Sequence, residues 1–248
     1  MPLTVHQFAC LEDNYGFLIR DDATGKVGCI DTPEGAAVIA AAEAMGWPID
    51  MVLNTHWHPD HAGGNEAVKA RYGSHLVGPA EVREHYPVDQ IVQHGDTVSL
   101  GETTFTVIDT GGHTLGHICY YAPDDGKVFV GDTLFPLGCG RLFEGTPQQM
   151  WESLSRLAAL PGETVAYSAH EYTLSNARFA ASVDSSPVLA ERIVRIEQAR
   201  ERGEPTVPTT IAEELRTNPF LRAPQLSSQS DPAAAFTEIR AAKDNFKG

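Results

Sequence analysis

Apolar and polar positions alternate from Leu3 to Phe8 as in a half-buried strand, and the same reading covers Phe17–Arg20 and Val27–Asp31, with charged or glycine turns between. This opening predicts a meander. The alanine-rich run Gly35–Met45 predicts a helix, which Trp47-Pro48 breaks ahead of the apolar run Met51-Val52-Leu53. After a short loop, Gly63-Gly64 lets the backbone turn into a further helix, Asn65–Tyr72. Thr103–Asp109 alternates threonine with apolar residues and reads as a strand; His117–Tyr121 and Lys127–Val130 are two more, joined by the hairpin turn Asp124-Asp125-Gly126. Thr146 and Gln149 have the spacing of a capping box with Pro147 at the first helical position, and Met150, Leu154 and Leu157 make one apolar stripe. Pro161-Gly162 ends that helix, and Thr164–Ser168 is the last strand of the series.

The alternation of strands and helices over 1–172 predicts an α/β domain of two mixed sheets with helices outside and a site at a sheet rim. From 173 the pattern becomes helical. Leu189, Ile193 and Ile196 share one face of Pro187–Arg202, Thr210 and Glu213 are spaced as a second capping box, and Asp231-Pro232 opens a final helix. A helical domain over 173–248 is therefore expected.

Composition narrows the partners. The net charge of −15, with no basic run to offset it, argues against nucleic acid. No stretch approaches the roughly 18 apolar residues of a membrane span, and Met-Pro-Leu-Thr-Val-His has no basic region followed by an apolar run. A cytoplasmic protein without membrane attachment, acting as a monomer, is the expectation. Cys10, Cys29, Cys119 and Cys139 are scattered as reduced thiols would be, and Cys139 reads as a small buried residue rather than a nucleophile.

The chemistry concentrates in Thr55-His56-Trp57-His58-Pro59-Asp60-His61, directly after an apolar strand. Neutral imidazole is the commonest metal ligand, and mixed nitrogen and carboxylate donors suit zinc, iron or manganese. Four donors in so short a loop do not all reach one ion: His56 and His58 would face one centre, Asp60 and His61 another. Two metals are implied. Other strand ends add Gly112-His113-Thr114-Leu115-Gly116-His117, Gly131-Asp132 and Ala169-His170. Spacing alone does not choose between His113 and His117, while the two oxygens of Asp132 could bridge two ions. Asp31, just after Cys29-Ile30, would stand at the sheet rim or cap the helix at Glu34–Met45. His75, His85 and His94 lie in unrelated contexts and read as surface or structural residues.

These motifs resemble the metallo-β-lactamase superfamily and, within it, glyoxalase II, the hydroxyacylglutathione hydrolases. The likeness extends from Asp13-Asn14-Tyr15 through Gly138-Cys139-Gly140-Arg141 and His170-Glu171-Tyr172 to Asn218-Pro219-Phe220-Leu221-Arg222 and Arg240 with Lys243. It implies an α/β fold, the four-layer αββα sandwich, with a C-terminal helical domain. It selects His113 over His117 and makes Asp31 an orienting acceptor. It places His56, His58 and His113 on one divalent ion and Asp60, His61 and His170 on the other, with Asp132 bridging. Zinc is the first choice of metal. Water between two such ions has its pKa lowered from about 15.7 toward about 7, so hydroxide would be the nucleophile, with Asp60 and Asp132 as the catalytic carboxylates. The implied substrate is an S-acylglutathione such as S-(R)-lactoylglutathione, the thioester of methylglyoxal detoxification, whose thiol leaves with a pKa near about 8.5. Its glutathione end would meet Arg141, Phe143, Tyr172, Arg240 and Lys243, the last two on one helical face. The family often has lysine at Arg141 and tyrosine at Phe143, so this chain departs from it there. Rival readings are a mononuclear iron glutathione persulfide dioxygenase, a metallo-β-lactamase and a non-catalytic metal-binding module.

Overall fold

The computed structural model describes residues 3–247; Met1 and Pro2, part of the N-terminus read above for a leader, and Gly248 lie outside them. By packing, the chain forms two units, one of residues 1–109 with 114–131 and one of 110–113 with 132–248. This division follows contacts rather than the change of rhythm at residue 172.

The first unit starts with the predicted meander: β1 (Leu3–Cys10), β2 (Asn14–Asp21) and β3 (Val27–Ile30) pair antiparallel. Helix α1 (Gly35–Met45) then returns the chain so that β4 (Met51–Leu53) runs parallel to β3, with Ile30 opposite Leu53. The short helices α2 (Pro59–Ala62) and α3 (Asn65–Tyr72) lead to β5 (His75–Gly78), and α4 (Ala80–Arg83) leads to β6 (Gln90–Ile91), both strands parallel to their predecessors. Because β3 and β4 point the same way, Asp31 and the loop after Leu53 leave one edge together. Val38 and Ala42 of α1 and Val68 of α3 cover one face of this sheet, burying Leu18, Val27, Cys29, Val52 and Leu76.

The same unit holds a second, antiparallel meander of β7 (Thr97–Leu100), β8 (Thr103–Asp109), β9 (Ile118–Ala122) and β10 (Lys127–Gly131). The alternation that makes each strand two-faced turns Phe17 of the first sheet onto Phe129 of the second, ring centroids 6.0 Å apart. Asp21 joins the sheets, its buried carboxylate accepting from the Thr103 amide at 2.9 Å and hydroxyl at 2.8 Å. Desolvation would raise its pKa, but these bonds and those from Thr24 hold the carboxyl down to about 2. Antiparallel connectivity puts the end of β8, the start of β9 and the end of β10 at one rim. That rim meets the loop after β4, where the Ile118 amide donates to Thr55 O at 2.9 Å and Tyr120 Oη to Asn54 O at 2.9 Å.

The second unit contains the ribbon β11 (Leu134–Phe135) and β12 (Gly138–Cys139), helix α5 (Pro147–Ala158), and the antiparallel pair β13 (Val165–Ser168) and β14 (Thr209–Thr210). Helices α6 (Thr173–Val183), α7 (Pro187–Glu201), α8 (Ile211–Thr217), α9 (Ala223–Leu226) and α10 (Pro232–Asp244) complete it. The α5 capping box forms as read, and Met150, Leu154 and Leu157 are buried. At α8, Thr210 accepts from the Glu213 amide, but Glu213 turns its carboxylate to Arg195 at 2.6 Å, so a single cap stands where a reciprocal box was expected. Leu189 and Ile196 of α7 bury with Leu137, Ala177 and Ala180; Phe220 packs between Phe179 and Phe236. Among the described residues no helix is long and apolar enough to cross a membrane.

Candidate metal centre

In the first unit a group of donors is ordered around Asp31. Its backbone is left-handed, with φ at 56°, and Glu34, ahead of α1, makes no side-chain cap. Asp31 is therefore not a helix cap. Its carboxylate accepts from the Thr55 amide and hydroxyl, each at 2.8 Å, and sits 2.8 Å from His61 Nδ1. With its hydroxyl proton given to Asp31, Thr55 Oγ1 can accept from His56 Nδ1 at 3.0 Å. Both imidazoles are thus held as Nδ1–H tautomers with the Nε2 lone pair turned elsewhere.

His56 Nε2 lies 3.0 Å from His58 Nδ1, and His61 Nε2 lies 3.8 Å from Asp60 Oδ2. The donor atoms of His56 and His58, of His56 and His61, and of Asp60 and His61 all fall within 4.8 Å of each other. The turn after them requires glycine: a Cβ on Gly64 would stand 2.7 Å from Gly35 N. His117 is buried and stacks on His56 at 4.8 Å. Asn14, quoted above only as part of a motif, is also here, its amide donating to Asp60 Oδ2 at 3.1 Å and Asp60 O at 3.4 Å. Of the remaining histidines, His75 is exposed, His85 stacks on Trp57 and His94 Nδ1 accepts from the Asp109 amide.

The second unit has a group of donors of its own. Asp132, next after the last residue of β10, has His113 Nε2 3.4 Å from Oδ2 and His170 Nε2 3.4 Å from Oδ1, all three side chains buried. His113 Nδ1 faces the Arg141 carbonyl at 2.9 Å, which again leaves Nε2 as the donor. Only glycine fits at 140, where a Cβ would strike Asp132 O at 2.0 Å. Phe143, largely exposed, meets His113 edge-on at 5.3 Å, and Tyr172 stacks on His170 at 4.7 Å.

Arg141 is exposed, while Arg240 is only 5 % exposed, donates to Asp244 at 2.6 Å and packs over Phe220. Of Arg240 and Lys243, read as sharing one helical face, the first is buried with Phe220 under its guanidinium and the second is half-buried. Lys243 donates to Ser175 O at 3.1 Å; burial, with the charges of Arg240 and Arg141, pushes its ammonium down to about 8. Burial likewise raises the Cys139 thiol to about 11, which suits packing and not nucleophilic attack.

In the first unit His56, His58, Asp60 and His61, and in the second His113, Asp132 and His170, are donors that suit a divalent metal; His56, His61 and His113 have Nδ1 committed to an acceptor. A carboxylate with an imidazole nitrogen at each oxygen fits a bridge. Residues 24–170 match the family model for the metallo-beta-lactamase superfamily, and residues 171–246 that for the hydroxyacylglutathione hydrolase C-terminus. The hydroxyacylglutathione hydrolase of Erythrobacter litoralis is 51 % identical over 98 % of this chain and 100 % of its own. The chain belongs to the hydroxyacylglutathione hydrolase family. Another member, from Hyphomonas neptunium, is 49 % identical over 98 % of each chain. The crystal structure of ETHE1 from Myxococcus xanthus, 29 % identical, covers 96 % of this chain and 90 % of its own with a TM-score of 0.71. The α/β fold class expected from the sequence is that of the family: metallo-β-lactamase-like, with a C-terminal helical region.

Proposed function

We propose that this member of the hydroxyacylglutathione hydrolase family is a binuclear metal-dependent thioester hydrolase, cleaving S-acylglutathione such as S-(R)-lactoylglutathione to glutathione and a 2-hydroxy acid. The observation that carries this reading is Asp132 with His113 Nε2 and His170 Nε2 on its opposite oxygens. In this reading His56, His58 and His113 hold one ion and Asp60, His61 and His170 the other, with Asp132 shared; zinc is the metal of choice. Bound divalent ions supply Lewis acidity and bring the pKa of water toward neutrality. The protein's own residues do the rest. Asp31, Thr55 and the Arg141 carbonyl hold three rings in the tautomer that presents Nε2, and Asp60, steadied by Asn14, orients the attacking water. A thiol of pKa near about 8.5 leaves without a general acid.

Arg141, Lys243 and the rings of Phe143 and Tyr172 receive the glutathione end, while Arg240 stays in the helical core against Phe220 and Asp244. Residues 1–172 then form the catalytic domain and 173–248 the domain that completes the substrate site, in a cytoplasmic monomer. Release of thiol from S-lactoylglutathione tests the reading: activity should vanish on chelation and return with added zinc. Equal turnover in the chelated protein, or none after metal is restored, would overturn it.

A further inference from the structure

The second unit contains a buried polar network that the reaction does not use. Arg192 of α7 and Glu214 of α8 form an ion pair with neither side chain open to solvent, and the Glu214 carboxylate takes further bonds from Thr209 Oγ1 at 2.6 Å, Asn218 Nδ2 at 2.9 Å and the Leu137 amide at 2.9 Å. Asn218 Nδ2 also donates to Phe135 O at 3.1 Å and Gly138 O at 2.9 Å. Three of these bonds end on the backbone of the β11–β12 ribbon. A solitary structural ion pair has no need of them.

The ribbon is an unfavourable piece of chain to leave unsupported. Its two-residue connection is Pro136-Leu137, and Leu137 has φ at 58°, a conformation in which a Cβ crowds the carbonyl. Leucine persists there because its side chain is buried with Ala177 and Leu189 while its amide is held by Glu214. Asp132 lies just ahead of this ribbon, and just after it come Gly140, packed on the Asp132 carbonyl, and Arg141, whose carbonyl faces His113 Nδ1. The ribbon's placement thus decides where both the carboxylate and the acceptor that orients an imidazole will stand.

We infer that Glu214 and Asn218 are positioning residues for the metal centre: from the helical region they fix the ribbon and, through it, the His113 tautomer and the Asp132 carboxylate. The inference rests on His113 and Asp132 being metal ligands. Supporting groups around metal ligands change affinity by about 10- to 100-fold when lost; one step further removed, Asn218→Leu should weaken metal binding by about tenfold. Glu214→Gln keeps the volume and one acceptor, so it should shift affinity in the same direction by less.

The test compares these variants with Leu157→Ala, which destabilises α5 one turn beyond its contact with the loop at Gly111. Two readouts are taken: zinc affinity by chelator competition, and the His113 Nδ1–H proton resonance of the metal-free protein. Asn218→Leu and Glu214→Gln should weaken zinc binding and broaden or lose the resonance, whereas Leu157→Ala should lower Tm and leave both unchanged. Parent affinity and an intact resonance in Asn218→Leu and Glu214→Gln would overturn the inference and leave the network a stabiliser only. A parent protein that binds no zinc would instead refute the ligand assignment, while the resonance would still report on the ribbon.

Discussion

Asp31 and Thr55 set the protonation pattern of two candidate ligands. Asp31→Ala should leave His61 free to rotate and lower metal affinity by about 10- to 100-fold, as loss of such an orienting partner generally does. Chelator competition measures this directly; unchanged affinity would mean that the His61 ring is fixed by packing alone. Phe143 tests a different contact. Its exposed ring beside His113 stands where the family often has tyrosine. A hydroxyl that gains a charged partner contributes on the order of 1.5 kcal/mol, and each 1.4 kcal/mol is about tenfold in affinity. Phe143→Tyr should therefore lower KM for S-lactoylglutathione by roughly three- to tenfold with kcat little changed; the parent's KM in the variant would remove Phe143 from the glutathione site.

Among the elements, those with a strong local pattern were legible in the chain: α1 and β8 keep the bounds read for them, and α5 has the expected cap and buried stripe. The metal loop was legible because its donors are adjacent in sequence. What local pattern could not disclose are polar pairings between distant segments. Asn14 lies 46 residues from Asp60, and Leu137 lies 77 residues from Glu214. Periodicity placed Arg240 on a helix without showing that aromatic rings would bury it, and it placed Glu213 at a capping position without showing that Arg195 would take its carboxylate. Asp21, with four bonds from Thr24 and Thr103, is another such residue and ties the two sheets together. Asp21→Ala leaves buried donors unpaired and should cost about 2 kcal/mol, read from denaturant midpoints. The Asp21 carboxyl is held below its usual range in the folded state, so its contribution is present above the unfolded value of 3.8 and is lost as pH falls toward about 2. Parent-like acid stability in Asp21→Ala would deny it that role.

For the molecule as a whole, three cations of the acidic chain stand near one another in the second unit. The net charge is −15, yet Lys243 is pushed down by burial first and then by the nearby charges of Arg240 and Arg141. A folded pKa lowered from 10.5 to about 8 means that Lys243 disfavours folding when charged, a penalty relieved as pH rises from about 8 through 10.5. A bound anion would offset it. KM for S-lactoylglutathione should accordingly rise as pH passes about 8, and Lys243→Ala should flatten that rise by raising KM already at neutral pH. A variant with the parent's pH profile would show that Lys243 does not face the ligand.

The most direct test of a shared, binuclear centre is the number of ions bound per chain in the parent and in Asp132→Ala, by elemental analysis of the samples used for thioester turnover. The bridge predicts two ions in the parent, and loss of both metal and turnover in the variant. A single ion in the parent, or a variant that keeps two ions and near-normal turnover, would contradict it.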